Sequence, residues 1–268
     1  MKKFIKIFFK ALIIIFLTLF TQVGGVIYLI IELIVKRTIK NYRLIKASVF
    51  MVTYLIITFV IVPYLAPAFG REKIKNSDLI EACTLFTILS NRNYVTPELN
   101  VSLLKIAKII SKKHSNIKLI YLDANFPFMD GFPLPPHLSH NDGKKIDVSF
   151  IYTNNKRTLT NQKPALLGYG VYEGPNPGEY DQIKACKKKG YWQYDFAKYL
   201  TLGISNNQLK LSEKATKDLL LAIVNQQNVG KVFIEPHLES RLGVENPKIR
   251  FHGCQAVRHD DHIHLQLK

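Results

Sequence analysis

Two long apolar runs open the chain, and the pattern changes near residue 75. Residues 11–35 (ALIIIFLTLFTQVGGVIYLIIELIV) carry Glu32 as their one charge, and residues 47–70 (ASVFMVTYLIITFVIVPYLAPAFG) carry none. A helix needs about 20 residues, at roughly 1.5 Å each, to cross a hydrocarbon core, so each run is predicted to form a membrane-spanning helix. A cleavable signal peptide fits less well, because the first run is too long for a signal h-region and no small-x-small site follows it. The chain is thus expected to divide into a two-helix anchor, residues 1–75, and a soluble domain, residues 76–268.

Beyond residue 75 shorter periodicities take over. Ser77 is placed to cap a helix to about Leu89, with Leu79, Ala82, Leu85, Phe86 and Leu89 turned inward. Thr96, Pro97 and Glu98 form a stronger start signal: proline is tolerated at the first helical position, and a carboxylate suits the N-terminal dipole. That helix should reach about Lys113 and bury Leu99, Leu103, Ile106, Ala107 and Ile110. A third fits residues 212–227, before Gly230. Runs at 117–122, 146–152, 232–235 and 262–267 read as strands. Residues 123–144 and 153–190 read as long loops, which in a compact domain are usually functional. The class is α+β.

Charge adds a location without fixing a side. The net +17 divides unevenly: residues 1–75 hold 12 Lys or Arg against Glu32 and Glu72, and the remainder holds 25 against 18. The excess flanking the apolar runs suits anionic headgroups, at roughly 1 kcal/mol per basic residue. If the two runs form a hairpin, Lys2, Lys3, Lys6, Lys10, Arg71, Lys73 and Lys75 share one side, against Lys36, Arg37, Lys40, Arg43 and Lys46. That seven-to-five split favours a cytoplasmic C-terminal domain, whereas the second run read alone favours the opposite. No aromatic-basic nucleic-acid motif is present. Three cysteines, Cys83, Cys186 and Cys254, are too few for a disulfide scaffold. A Cys186–Cys254 bridge suits a location outside the cell, but an odd count does not specify it.

The chemistry concentrates in two histidine groups, PPHLSHNDGKKID (135–147) and RHDDHIHLQL (258–267), which hold five of the eight histidines. Strand alternation puts His262, His264 and Gln266 on one face and Ile263, Leu265 and Leu267 on the other. Asp147 alternates with Ile146 and Val148, and His140 reaches it across a turn eased by Gly143. Converging strands would set His140, Asp147 and His264 around one point, the three-ligand inventory of a catalytic zinc site with an open fourth position. His262 is then placed to shuttle a proton, and His259 to assist it or hold an oxyanion. His114, His237 and His252 lie apart and are expected to have no chemical role; His137 is left open. Asp142, Asp260 and Asp261 are either partners that orient the imidazoles or solvated turn residues.

At these residues the sequence resembles the penicillin-insensitive murein endopeptidases, within the metallopeptidases grouped with lysostaphin, the D-Ala-D-Ala metallopeptidases and sonic hedgehog. The shared pattern is His, six residues and Asp, then a distal His-x-His, met by His140 to Asp147 and by His262-Ile263-His264. PPHLSHNDGKKIDVSF, RHDDHIHLQL and, more weakly, VFIEP narrow it to the endopeptidases. The resemblance covers roughly residues 118–268. It implies a small antiparallel sheet with flanking helices, and one Zn2+ on His140, Asp147 and His264. It implies His262 as the catalytic histidine, His259 as a further active-site histidine, and cleavage of peptidoglycan cross-links, usually between D-Ala and diaminopimelate. A carboxypeptidase or dipeptidase of the same metal class, or a non-catalytic wall-binding protein that keeps the fold, are the rival expectations. Peptidoglycan cross-links exist only outside the cytoplasmic membrane, so the expected location is the bacterial cytoplasmic membrane with the domain facing the periplasm or cell wall.

Overall fold

The computed structural model describes residues 2–268. The chain divides into two compact units whose segments interleave in sequence. One comprises Met1–Ile74, Phe86–Pro97 and Asn125–Gly143; the other comprises Lys75–Leu85, Glu98–Ala124 and Lys144–Lys268.

In the first unit the opening apolar run does not make one span. Helix α1 (Lys2–Thr21) ends at Gln22, and helix α2 (Gly24–Ile34) folds back along it. Gln22 has φ +65° and is buried. Its side-chain nitrogen donates to the Phe128 carbonyl at 2.6 Å, and its side-chain oxygen accepts from the Phe128 amide at 3.0 Å. A left-handed backbone at a non-glycine residue cannot continue a helix, so this tie to a residue 106 positions away marks the break. Gly25 permits the close return, since a Cβ there would stand 2.5 Å from the Ile14 carbonyl oxygen. Helix α3 (Tyr42–Ile56) continues through a π turn (Ile57–Ile61) and two short turns to Phe69. Two helical stretches, Phe4–Thr21 and Tyr42–Phe69, are long and apolar enough to cross a membrane; α2 is too short. The second stretch covers nearly all of the span expected at 47–70, whereas the run expected to span at 11–35 is divided between α1 and α2.

Glu32 joins the three helices, bonded to Lys10, to Lys46 and, at 2.9 Å, to Arg37. Ile27, Ile31, Val35 and Tyr54 form the apolar contact beside it. The fold-back therefore sets Lys6 and Lys10 at the same end of the helices as Lys36, Arg37, Lys40, Arg43 and Lys46. Arg71 and Lys73 follow the far end of α3, where strand Glu72–Lys73 pairs with Tyr94–Val95. The hairpin of two spans, with its seven-to-five split, is corrected by this third helical run.

The second unit is built on a six-stranded mixed sheet. Its spatial order is Ile249–Arg250, Val229–Phe233, His262–Leu267, Lys145–Ser149, Leu119–Tyr121 and Ile80–Ala82. The outermost pair at each edge is parallel and the interior pairs are antiparallel, so the small antiparallel sheet expected is antiparallel at its centre and mixed as a whole. A second, three-stranded sheet joins Leu159–Thr160, Tyr152–Thr153 and Lys210–Leu211. The helix at Pro97–Lys113 has its expected stripe, with Leu99, Leu103, Ile106, Ala107 and Ile110 fully buried. Helix Glu213–Val224 is capped by Ser212, whose hydroxyl accepts from the Ala215 amide. The helix expected at 77–89 is instead strand Ile80–Ala82 followed by helix Leu85–Leu89, because Ile80–Ala82 finds a parallel partner in Leu119–Tyr121.

The central pair of strands sets the functional geometry. Ile263 and Leu265 pair with Val148 and Ile146, all essentially fully buried. At about 1.5–3 kcal/mol for each buried aliphatic side chain, these residues lock the register. A one-residue slip would exchange the faces. In the register observed, His264 stands directly opposite Asp147, and His262 opposite Ser149.

Candidate metal centre

Directly opposed residues of an antiparallel pair share a face, and next-but-one neighbours along a strand share it too. Asp147, His264 and His262 are therefore gathered by register alone. His264 Nδ1 lies 2.9 Å from Asp147 Oδ1, and His262 Nε2 lies 3.6 Å from the same oxygen. All three side chains are at most 4% exposed. His137, His140 and Asp147 form a group whose ligand atoms lie within 4.8 Å of one another and which could hold a metal ion. The His137 and His140 rings are 5.4 Å apart. Neutral imidazoles with a carboxylate suit a divalent transition metal such as zinc. His137, left open by the sequence, thus belongs to the candidate group.

The surrounding residues hold these groups in place. The second carboxylate oxygen of Asp147 accepts from the Tyr169 hydroxyl at 2.8 Å, and the Tyr169 ring lies edge-on to His262 at 5.1 Å between centroids. Asp261 accepts from His262 Nδ1 with one oxygen and from the Gly170 amide, at 2.6 Å, with the other. With Nδ1 engaged, Nε2 is the His262 nitrogen turned to Asp147. Gly170 is required where it stands: its φ is +86°, and a Cβ would lie 2.2 Å from the Ala197 carbonyl oxygen. Burial by itself would push the His262 imidazolium down, but the Asp147 and Asp261 carboxylates outweigh it and hold its pKa up at about 9.

His259 differs. Burial, followed by the neighbouring imidazoles of His262 and His264, drives its pKa well below the ordinary histidine value, so the ring is neutral. Its amide donates to Glu235 Oε1 at 3.0 Å, and its carbonyl accepts from the Glu235 amide. Its Nδ1 is buried with no hydrogen-bond partner among the described residues. Its ring centroid is 4.9 Å from that of His262 and 5.8 Å from that of His264. A buried neutral imidazole with an open nitrogen is costly unless something polar meets it.

Asp260, two residues before His262, holds the Arg258 guanidinium, which also reaches Asp195 at 3.1 Å. Asp142 is half-buried in the loop that ends at Gly143. Asp261, one of the three carboxylates considered from sequence, is bonded to an imidazole of the strand pair. His114 pairs with Asp218, and His237 bonds the Glu173 carbonyl. His252, expected to be remote, sits beside the cluster, 5.3 Å from the His259 ring and 4.4 Å from Phe233. Tyr169 and Gly170 had no signal in the sequence beyond lying in a long loop. Cys186 and Cys254 are joined in a disulfide that pins helix Gln182–Lys188, and Cys83 is free.

A comparison with protein-family models finds no match, and neither does one with curated protein sequences. The functional reading therefore rests on the residues themselves.

Proposed function

We propose that the chain is a membrane-anchored zinc metallopeptidase that hydrolyses the peptide cross-links of bacterial peptidoglycan, at the D-Ala–diaminopimelate bond. One observation carries this reading: two strand-borne imidazoles converge on one oxygen of Asp147 while Asp261 orients one of them. A structural ion pair would need only one imidazole on Asp147. A metal with a nearby proton carrier needs several, plus a group that fixes the tautomer.

In this reading His140, Asp147 and His264 would hold the zinc, with His137 beside them, and the ion would supply Lewis acidity and lower the pKa of a water. His262 carries the proton at Nε2: it receives it as the amide is attacked and returns it to the leaving amine. Asp261 keeps Nδ1 engaged throughout. Neutral His259, in the tautomer that carries its proton on Nδ1, would donate that N–H to the developing negative charge. Tyr169 fixes the Asp147 carboxylate.

Two further facts support a domain outside the cytoplasm, where the substrate is. A disulfide between Cys186 and Cys254 suits an oxidising compartment. The helical fold-back gathers Lys6, Lys10, Lys36, Arg37, Lys40, Arg43 and Lys46 at one end, against Arg71, Lys73 and Lys75 after α3. Cytoplasmic ends are enriched in Lys and Arg, which supports that end as the cytoplasmic one.

The test is metal analysis of the purified full-length protein, paired with mass spectrometry of digested muropeptides. We expect one zinc per chain, loss of cross-linked dimers, and no loss with His262→Ala or after chelation. Loss of terminal D-Ala from monomers alone would assign a carboxypeptidase instead. Intact dimers with bound wall material would assign a binding protein.

A further inference from the structure

The short helix Trp192–Thr201 turns two different faces outward and inward. Tyr194, Asp195 and Ala197 are buried, and Tyr194 packs with Ile183 and Cys186 of helix Gln182–Lys188. The core is satisfied by that face. On the other, Trp192 is 74% exposed and Tyr199 64%, with Phe196 between them. Their rings form a continuous row, Trp192 to Phe196 at 6.5 Å and Phe196 to Tyr199 at 6.0 Å. Leu202 and Ile204, which follow closely along the chain, are also largely exposed. A single exposed apolar side chain is ordinary, but a contiguous aromatic and aliphatic row marks an interaction surface.

The charges around this row point to its partner. Lys184, Lys187, Lys188, Lys189 and Lys198 are exposed across residues 182–204, against Asp195 as the one acidic residue of that segment. Lys187 and Lys198 bond Asp195, which leaves Lys184, Lys188 and Lys189 as the cationic rim. Trp and Tyr rings concentrate at the headgroup level of membranes, and lysines flanking an apolar face add attraction to anionic lipid. The same chain carries two helices long and apolar enough to cross a bilayer.

We propose that the surface formed by Trp192, Phe196, Tyr199, Leu202 and Ile204, with Lys184, Lys188 and Lys189, is a peripheral docking site for an anionic lipid bilayer. The rings and aliphatic side chains enter the headgroup boundary while the lysines meet lipid phosphates. This contact holds the segment 182–204 against the bilayer. It does not depend on the metal centre.

Trp192 is the chain's one tryptophan, so its fluorescence reports this surface directly. The full-length protein is reconstituted into vesicles of phosphatidylglycerol or phosphatidylcholine containing brominated lipid. We expect bromolipid quenching and shielding from acrylamide in phosphatidylglycerol vesicles, and weaker effects in phosphatidylcholine. In K184E/K188E/K189E the docked-to-free ratio should fall on the order of 100-fold, at about 1 kcal/mol per lysine removed. These lysines are exposed and lie outside the buried face, and circular dichroism verifies that the variant is folded. Trp192 open to acrylamide and untouched by bromolipid in every vesicle would overturn the proposal. So would shielding that appears only when purified peptidoglycan is added, because the aromatic row would then be a glycan surface.

Discussion

Replacing Asp261 by Asn tests whether the carboxylate on His262 controls that imidazole's proton. The exchange keeps the shape of the side chain and its bond to the Gly170 amide but removes the charge. In the metal-free protein the His262 pKa is held at about 9 against an ordinary 6.5, by Asp147 and Asp261 acting over the opposing effect of burial. At 1.36 kcal/mol per unit, this is about 3 kcal/mol of extra affinity for the proton. One adjacent opposite charge is worth about 1–3 units, so D261N should bring His262 to roughly 6–8. The sign for stability follows from linkage. A histidine whose folded pKa is raised stabilises the fold fully below its unfolded pKa of about 6.5, and that contribution is lost as pH rises through about 9. Chelator-stripped wild type should therefore lose up to about 3 kcal/mol between pH 6.5 and 9, and D261N distinctly less. Histidine NMR titration gives the pKa, and urea unfolding at a series of pH values gives the stability. An unchanged His262 titration in a folded D261N protein would refute this electrostatic account.

Tyr169→Phe removes the hydroxyl on Asp147 Oδ2 and should weaken zinc affinity by about 10–100-fold, read by competition with a chromogenic chelator; unaltered affinity would remove Tyr169 from the site. Gly170→Ala forces a β-carbon onto the Ala197 carbonyl at φ +86°, so a loss of at least about 1–2 kcal/mol in chemical unfolding is expected. Breaking the disulfide by Cys186→Ser with Cys254→Ser opens a loop of 68 residues and should cost about 4 kcal/mol on the chain-entropy relation, measured by thermal unfolding. Zinc uptake should release protons into a weakly buffered solution and weaken as pH falls, since the ion competes with protons for the imidazoles; uptake that is independent of pH would contradict a histidine-ligated site.

What the sequence determined by itself is whatever depends on neighbours a few positions away. The Pro97–Lys113 helix was legible because its apolar stripe, proline start and terminal charges are local. The shared face of His262 and His264 was legible because strand side chains alternate with a period of two. The apolar character of both opening runs was legible from composition.

Tertiary structure decided what depends on distant partners. Gln22 breaks an apolar run that looks continuous, because its amide finds Phe128 far along the chain. Residues 80–82 carry a helical pattern, but an edge position beside Leu119–Tyr121 makes them a strand. The pairing of Cys186 with Cys254 and the nearness of His252 to His259 came from folding alone. So did the bonds of Tyr169 to Asp147 and of Gly170 to Asp261. Local periodicity fixes which face a side chain takes, whereas only packing of remote segments fixes what that face meets.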